Sequence, residues 1–137
     1  MKGFTDAFCN FIENEVEGIT KGSNLFAFRN LDASEVTSGN FGCFLVSSTT
    51  VEGASFEYYD IEIRILTARS TSRESIDEAS SVMSSLRKKR GRIASDAGDI
   101  FWIKDIVPND PGVVTSEKQD NGLYLAEASM TVKVVLN

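Results

Sequence analysis

At 137 residues, 42% hydrophobic and 25% charged, the chain has the size and composition of one globular domain able to bury a core, which excludes wholesale disorder. A formal charge of −6 argues against general nucleic-acid binding by charge alone. There is no histidine, which removes serine-hydrolase triads, Cys-His pairs and His-based metal sites within this chain.

No apolar run approaches the roughly 20 residues needed to cross a bilayer. The opening Met1-Lys2-Gly3-Phe4-Thr5-Asp6 is not a signal peptide, so the protein is expected to stay in the compartment where it is made. Cys9 and Cys43 are the only cysteines. They read as small core residues of a protein in a reducing compartment, not as a disulfide scaffold.

Phe4, Ala7, Phe8, Phe11 and Ile12 recur at helical spacing and predict a first helix over residues 4–17, ended by Gly18 or Gly22. Its phenylalanine stripe reads as core packing. Leu25–Arg29 is a short strand candidate, residues 32–40 a polar loop, Phe41–Ser47 a second strand and residues 49–55 a turn around Gly53. From Phe56 to Leu66 the chain alternates. Tyr59, Ile61, Ile63 and Ile65 point one way, and Tyr58, Asp60, Glu62 and Arg64 the other, as in a strand with one core face and one face for solvent or a subunit.

Residues 67–72 read as a turn into a second helix over residues 72–89. Thr71 and Glu74 fit a capping box, and Ile76, Ala79, Val82, Met83 and Leu86 form its apolar stripe. Gly91 stops this helix, and residues 92–98 read as a mobile connection. Ile100–Val107 is a strand holding the only tryptophan, Trp102, a core or interface anchor. Pro108-Asn109-Asp110-Pro111-Gly112 is expected to break it and open a long loop, closed at Asp120-Asn121-Gly122 by a tight turn.

The last segment, Leu123–Leu136, carries the clearest pattern, with alternation from Tyr124 onward. Its even positions are apolar or small, while Glu127, Ser129, Thr131 and Lys133 hold odd ones, so one long strand has a dry and a wet face. It would span roughly 43 Å, against about 35–40 Å for a compact domain of this length. Such a strand must bend, bulge or reach a neighbouring subunit, which hints at an assembly part. The expected fold is one α+β domain over residues 1–137: a mostly antiparallel β-sheet with two helices packed on one face, in the order α-β-β-β-α-β-β.

Arg87, Lys88, Lys89, Arg90 and Arg92 put five of the fourteen basic residues into six positions. One reading is charge complementing a helix C-terminus in solvent. The other is a docking patch for an acidic partner, a neighbouring subunit or DNA phosphates. Glu13-Glu15-Glu17 and Asp60-Glu62 are acids that can meet the patch across a subunit boundary or simply face solvent. Pro108, Pro111 and Asn121, in the two turns, complete the candidate contact residues. Residues 18–23 have the wrong spacing for a phosphate loop, and residues 105–120 lack that of a calcium loop. No catalytic, cofactor-binding or metal-binding residue is expected.

The full layout, more than any one motif, resembles the tail terminator proteins of long-tailed bacteriophages, a group overlapping small minor capsid or tail-completion proteins. The likeness lies in an N-terminal helix, then Tyr58-Tyr59-Asp60-Ile61-Glu62-Ile63-Arg64-Ile65, then Ser75-Ile76-Asp77-Glu78-Ala79 opening a helix that ends near Leu86. A turn at Pro108 and Pro111 follows, with Asp120-Asn121-Gly122-Leu123-Tyr124-Leu125-Ala126 leading to the final strand. It covers nearly the whole chain. The resemblance implies a non-enzymatic virion protein at the tail–neck junction, assembled in the bacterial cytoplasm. It implies a hexameric ring that caps the tail tube, ends its polymerisation and offers its other face to the head connector. The implied partners are copies of itself, the tail tube protein and a head-completion protein, with DNA passing through the lumen and no membrane. Head-completion and tail tube proteins have similar small bodies, and a non-viral accessory module is a further reading.

Overall fold

The computed structural model describes residues 2–28, 38–51 and 58–136. Two helices, α1 (Phe4–Glu15) and α2 (Ser72–Leu86), lie against a sheet of six strands: β1 (Leu25–Phe28), β2 (Phe41–Val51), β3 (Tyr58–Arg69), β4 (Gly91–Ala94), β5 (Ile100–Lys118) and β6 (Tyr124–Leu136). Their spatial order is β1-β2-β3-β6-β5-β4. All pairs are antiparallel except β1–β2, where Leu25 to Phe28 run parallel to Phe41 to Phe44. This is the expected α+β class, with β4 as one strand more than the sequence pattern suggested.

In α1 the stripe Phe4, Ala7, Phe8, Phe11 and Ile12 is buried, together with Cys9. Phe4 stacks on Phe8 at 5.7 Å and meets the edge of Phe101 at 5.3 Å, fixing the helix to β5. The helix ends at Glu15, because Val16 is already extended, rather than continuing to a glycine. Gly3 precedes it at φ 80°, a left-handed backbone that strains any side chain, and a Cβ there would force the Asp99 carboxylate to move.

In α2 the Thr71 hydroxyl accepts a hydrogen bond from Glu74 N at 3.2 Å, the cap expected from the sequence. Ala79, Val82, Met83 and Leu86 are buried, but Ile76 is only half-buried. Ser75 takes the inward place instead, donating to the Tyr124 carbonyl at 2.6 Å. Both helices share one core with Ile61, Ile63 and Ile65 of β3 and the even residues Ala126–Val134 of β6. They therefore cover the same face of the sheet. α1 packs against both border strands, β4 and β1, and Asn10 Nδ2 donates to the edge carbonyl of Ala94 at 3.0 Å. The two borders of the sheet are thus brought to one helix.

Several expectations need correction. Residues 67–69 stay in β3, with Thr67 and Ala68 buried, rather than turning. Strand β2 runs to Val51, beyond Ser47; Arg29, residues 32–37 and 52–55, and Phe56 fall outside the described residues. Helix α2 stops at Leu86, and residues 91–94 form a strand rather than a mobile connection, with Ile93 buried opposite Phe101. A lone apolar residue among polar ones shows no alternation, so that strand was invisible.

Pro108 does not end β5. Beyond Ile103 β5 lies past the end of β4, and proline is tolerated where no partner needs its missing N–H. A register shift between Pro108 and Val113 absorbs the extra residues, and the Asp110–Pro111 peptide is cis.

Strand β6 pairs with β3 without interruption from Tyr124 to Val135 and with β5 on its other side. The bulges lie in other strands, three in its neighbour β5 and one in β2, which pairs with β3. Its length is satisfied within the chain, so it gives the assembly reading no support. Nor is its outer face uniformly wet. Glu127 and Ser129 are buried, the first by an ion pair with Arg64 at 3.2 Å and the second by Asn109 at 2.8 Å. Leu66, Ala68 and Leu125 form a small second apolar cluster on that face.

Candidate assembly surface

The basic turn leaves α2 at Arg87, whose N–H bonds back to Met83 O at 2.9 Å. Lys88 then adopts φ 63°, uncommon for any residue but glycine. It is held there by donating to Ile106 O of β5 at 3.0 Å, while Lys89 N reaches Leu86 O at 3.2 Å. The backbone is pinned at both ends, so the side chains are presented from a fixed frame. Arg87, Lys88, Lys89, Arg90 and Arg92 are all exposed.

None of them lies in the last turn of α2, so the helix dipole accounts for little of the cluster. Lys89 reaches Glu15 Oε2 at 3.4 Å within the same chain, so one acid expected to act across a subunit boundary is used locally. The other four cations form no ion pair among the described residues. Of the second acidic pair, Asp60 holds Lys133 at 3.4 Å, and Glu62 accepts from Asn109 at 3.4 Å.

Arg92 stands opposite Trp102 across β4 and β5. Trp102 is 38% exposed and is therefore a surface anchor, not a core residue. On the same outer face Tyr58, Lys104, Lys133 and Val135 border a shallow apolar cleft of about 210 Å³. Lys133 escaped the sequence reading because it is remote in the chain and only strand register brings it beside Trp102; Lys104 follows Trp102 two residues later on β5.

Pro108 is half-buried opposite Met130, and Pro111 is exposed in the bulge two residues further from Asn109. Both lie along the border of β5 that begins beside the basic turn at Ile106. Asn121 is not part of this grouping. It is exposed in the β5–β6 turn, where its Oδ1 accepts from Leu123 N at 3.0 Å, beside Gly122 at φ 84°.

A second feature is a groove of about 550 Å³ between the end of α1, the flank of α2 and the start of β2, with Glu17, Phe41, Arg69, Asp77 and Glu78 among its walls. Arg69 lies 5.6 Å over the Phe41 ring and is paired with Glu78, which also receives the Thr67 hydroxyl. Among the described residues no group of three or more Cys, Asp or Glu is arranged to hold a metal ion, and no helix is long and apolar enough to cross a membrane.

The fold and surface define a small α+β sandwich with a basic-aromatic border. No protein-family model matches the chain, and no characterised protein aligns with it.

Proposed function

We propose that this chain is a structural protein of a long-tailed bacteriophage virion, a tail terminator. In this reading it forms a ring, hexameric by the resemblance, on the finished tail tube, stops polymerisation and presents a surface to the head connector. Copies of itself, the tail tube protein and a head-completion protein are its partners. The observation that supports surface contact as its work is the pairing of exposed Trp102 with Arg92 beside four further exposed cations on a pinned turn. Tryptophan and arginine are the residue types that dominate binding energy at protein interfaces. The net charge of −6 suits a channel through which DNA must slide without adhering.

Electron microscopy of tails assembled without this protein tests the reading. Tails of uncontrolled length are expected. Tails of normal length that never join heads would overturn it in favour of a head-completion protein.

A further inference from the structure

Among the described residues the basic turn has more cations than acid partners, and the groove beside α2 has the opposite imbalance. Among its walls, Glu17, Asp77 and Glu78 are acidic, and Arg69 is already engaged by Glu78. Glu17 makes no ion pair among the described residues, and Asp77 meets only Arg73 at 4.0 Å, with both side chains largely in solvent. On the α2 side the wall includes Ser81 and Ser85, small side chains that let another backbone approach closely.

We infer that the groove between α1 and α2 receives the basic turn Arg87–Arg92 of a second copy of this chain. The occupant is argued from charge. Among the described residues only Lys89 of the turn finds an acid in its own chain, and the acids Asp60 and Glu62 already have partners in Lys133 and Asn109. Arg87 and Arg90 of the incoming copy meet Glu17 and Asp77, while Glu78 stays with Arg69. The turn needs no rearrangement to dock, because its backbone is already fixed to Ile106. Joining unlike patches head to tail makes a heterologous contact, which closes into a ring when the rotation between copies allows it. This inference rests on the ring reading above and names the contact within it.

Charge reversal tests it, with sedimentation velocity as the readout at low and high salt. One variant carries Glu17→Lys and Asp77→Lys, a second Arg87→Glu and Arg90→Glu, and a third all four. Every altered side chain is exposed, and circular dichroism checks that the fold is kept. The wild type is expected to self-associate at low salt and less at about 1 M salt, where the Debye length falls to about 3 Å. Either two-site variant should lose association at least tenfold. The four-site variant, and an equal mixture of the two-site variants, should recover it, because the charges are again complementary. A wild type that stays monomeric at low salt overturns the inference, as do reversals that leave association unchanged. Duplex DNA that binds the groove variant as it binds the wild type, while that variant still self-associates, assigns the turn to nucleic acid instead. The ring reading is judged separately by tail length: rings that form and end tails at the normal length despite the reversals would sink this contact and leave that reading standing.

Discussion

Arg92 and Trp102 face one another directly across the β4–β5 pair, on the side of the sheet away from both helices. Cross-strand neighbours of this kind stabilise a sheet by only about 0.2–1 kcal/mol. A tryptophan 38% exposed in such a place adds little to the fold and much to any surface that covers it. Trp102→Ala should therefore cost about 1 kcal/mol or less in urea unfolding, while on the proposed ring reading self-association weakens at least tenfold. A loss of several kcal/mol in the monomer would make Trp102 a folding residue.

Asn109 occupies the start of the β5 bulge and is bonded through its whole amide. Its Nδ2 donates to Ser129 Oγ at 2.8 Å and Glu62 Oε1 at 3.4 Å, and its Oδ1 accepts from Thr131 Oγ1 at 2.7 Å. Asn109→Ala leaves the buried Ser129 without that partner and should cost about 1–3 kcal/mol. Adding Ser129→Ala in the same chain should recover part of the loss, as seen in the urea midpoint. No recovery would place the effect in the bulge backbone.

Phe8 is fully buried between Phe4 and Phe11. Phe8→Ala should destabilise the protein by about 3–5 kcal/mol, combining lost transfer energy with a cavity. Ile76→Ala should cost distinctly less, because Ile76 is only half-buried. Denaturant titration of the two variants checks the order.

That contrast shows where the sequence was legible. The stripe of α1, the alternation of β3 and the final strand were readable because each repeats over many residues with one period. The place of Ile76 was misread because Ser75 bonds the Tyr124 carbonyl, a tertiary contact that no local pattern encodes. Pro108 signalled a break that the border position of β5 makes unnecessary. The basic cluster was visible as consecutive letters, but its neighbour Trp102 joins it only through register. Asn121, attractive as a turn residue, serves its own turn.

Cys9 and Cys43 are buried in one core, on α1 and β2. The hydrogen bond between the two thiols, which favours the neutral Cys43, and then burial push its pKa well above the ordinary thiol value. The thiolate is the reactive form. Native protein at neutral pH should thus react with a thiol-exchange reagent only as fast as it opens, with both thiols titrating at once in denaturant. Rapid labelling of a thiol in the native state would contradict the burial.

Lys21 joins three parts of the chain: its Nζ contacts Asp6 of α1 and donates to Asp96 Oδ2 of the β4–β5 connection at 2.8 Å. Asp96 also accepts from Asn10 at 3.1 Å, and its own N–H donates to Asp6 at 2.8 Å. Burial pulls the Lys21 pKa down, but the hydrogen bonds to Asp6 and Asp96 outweigh it, so the pKa is raised above 10.5. The hydrogen bond from Lys21, then that from Asn10, hold the Asp96 carboxyl below 3.8. A raised lysine contributes stability that is complete below its unfolded pKa and lost as pH rises through the folded one. A lowered aspartate contributes stability present above its unfolded pKa and lost as pH falls through the folded one. The stability difference between wild type and Lys21→Met should accordingly form a plateau across neutral pH. It should shrink as pH falls below 3.8 through the lowered pKa of Asp96, and again as pH rises above 10.5 through the raised pKa of Lys21. Chemical unfolding at a series of pH values measures this. A difference that stays constant at both extremes would mean that Lys21 acts through packing of its methylenes and not through its charge.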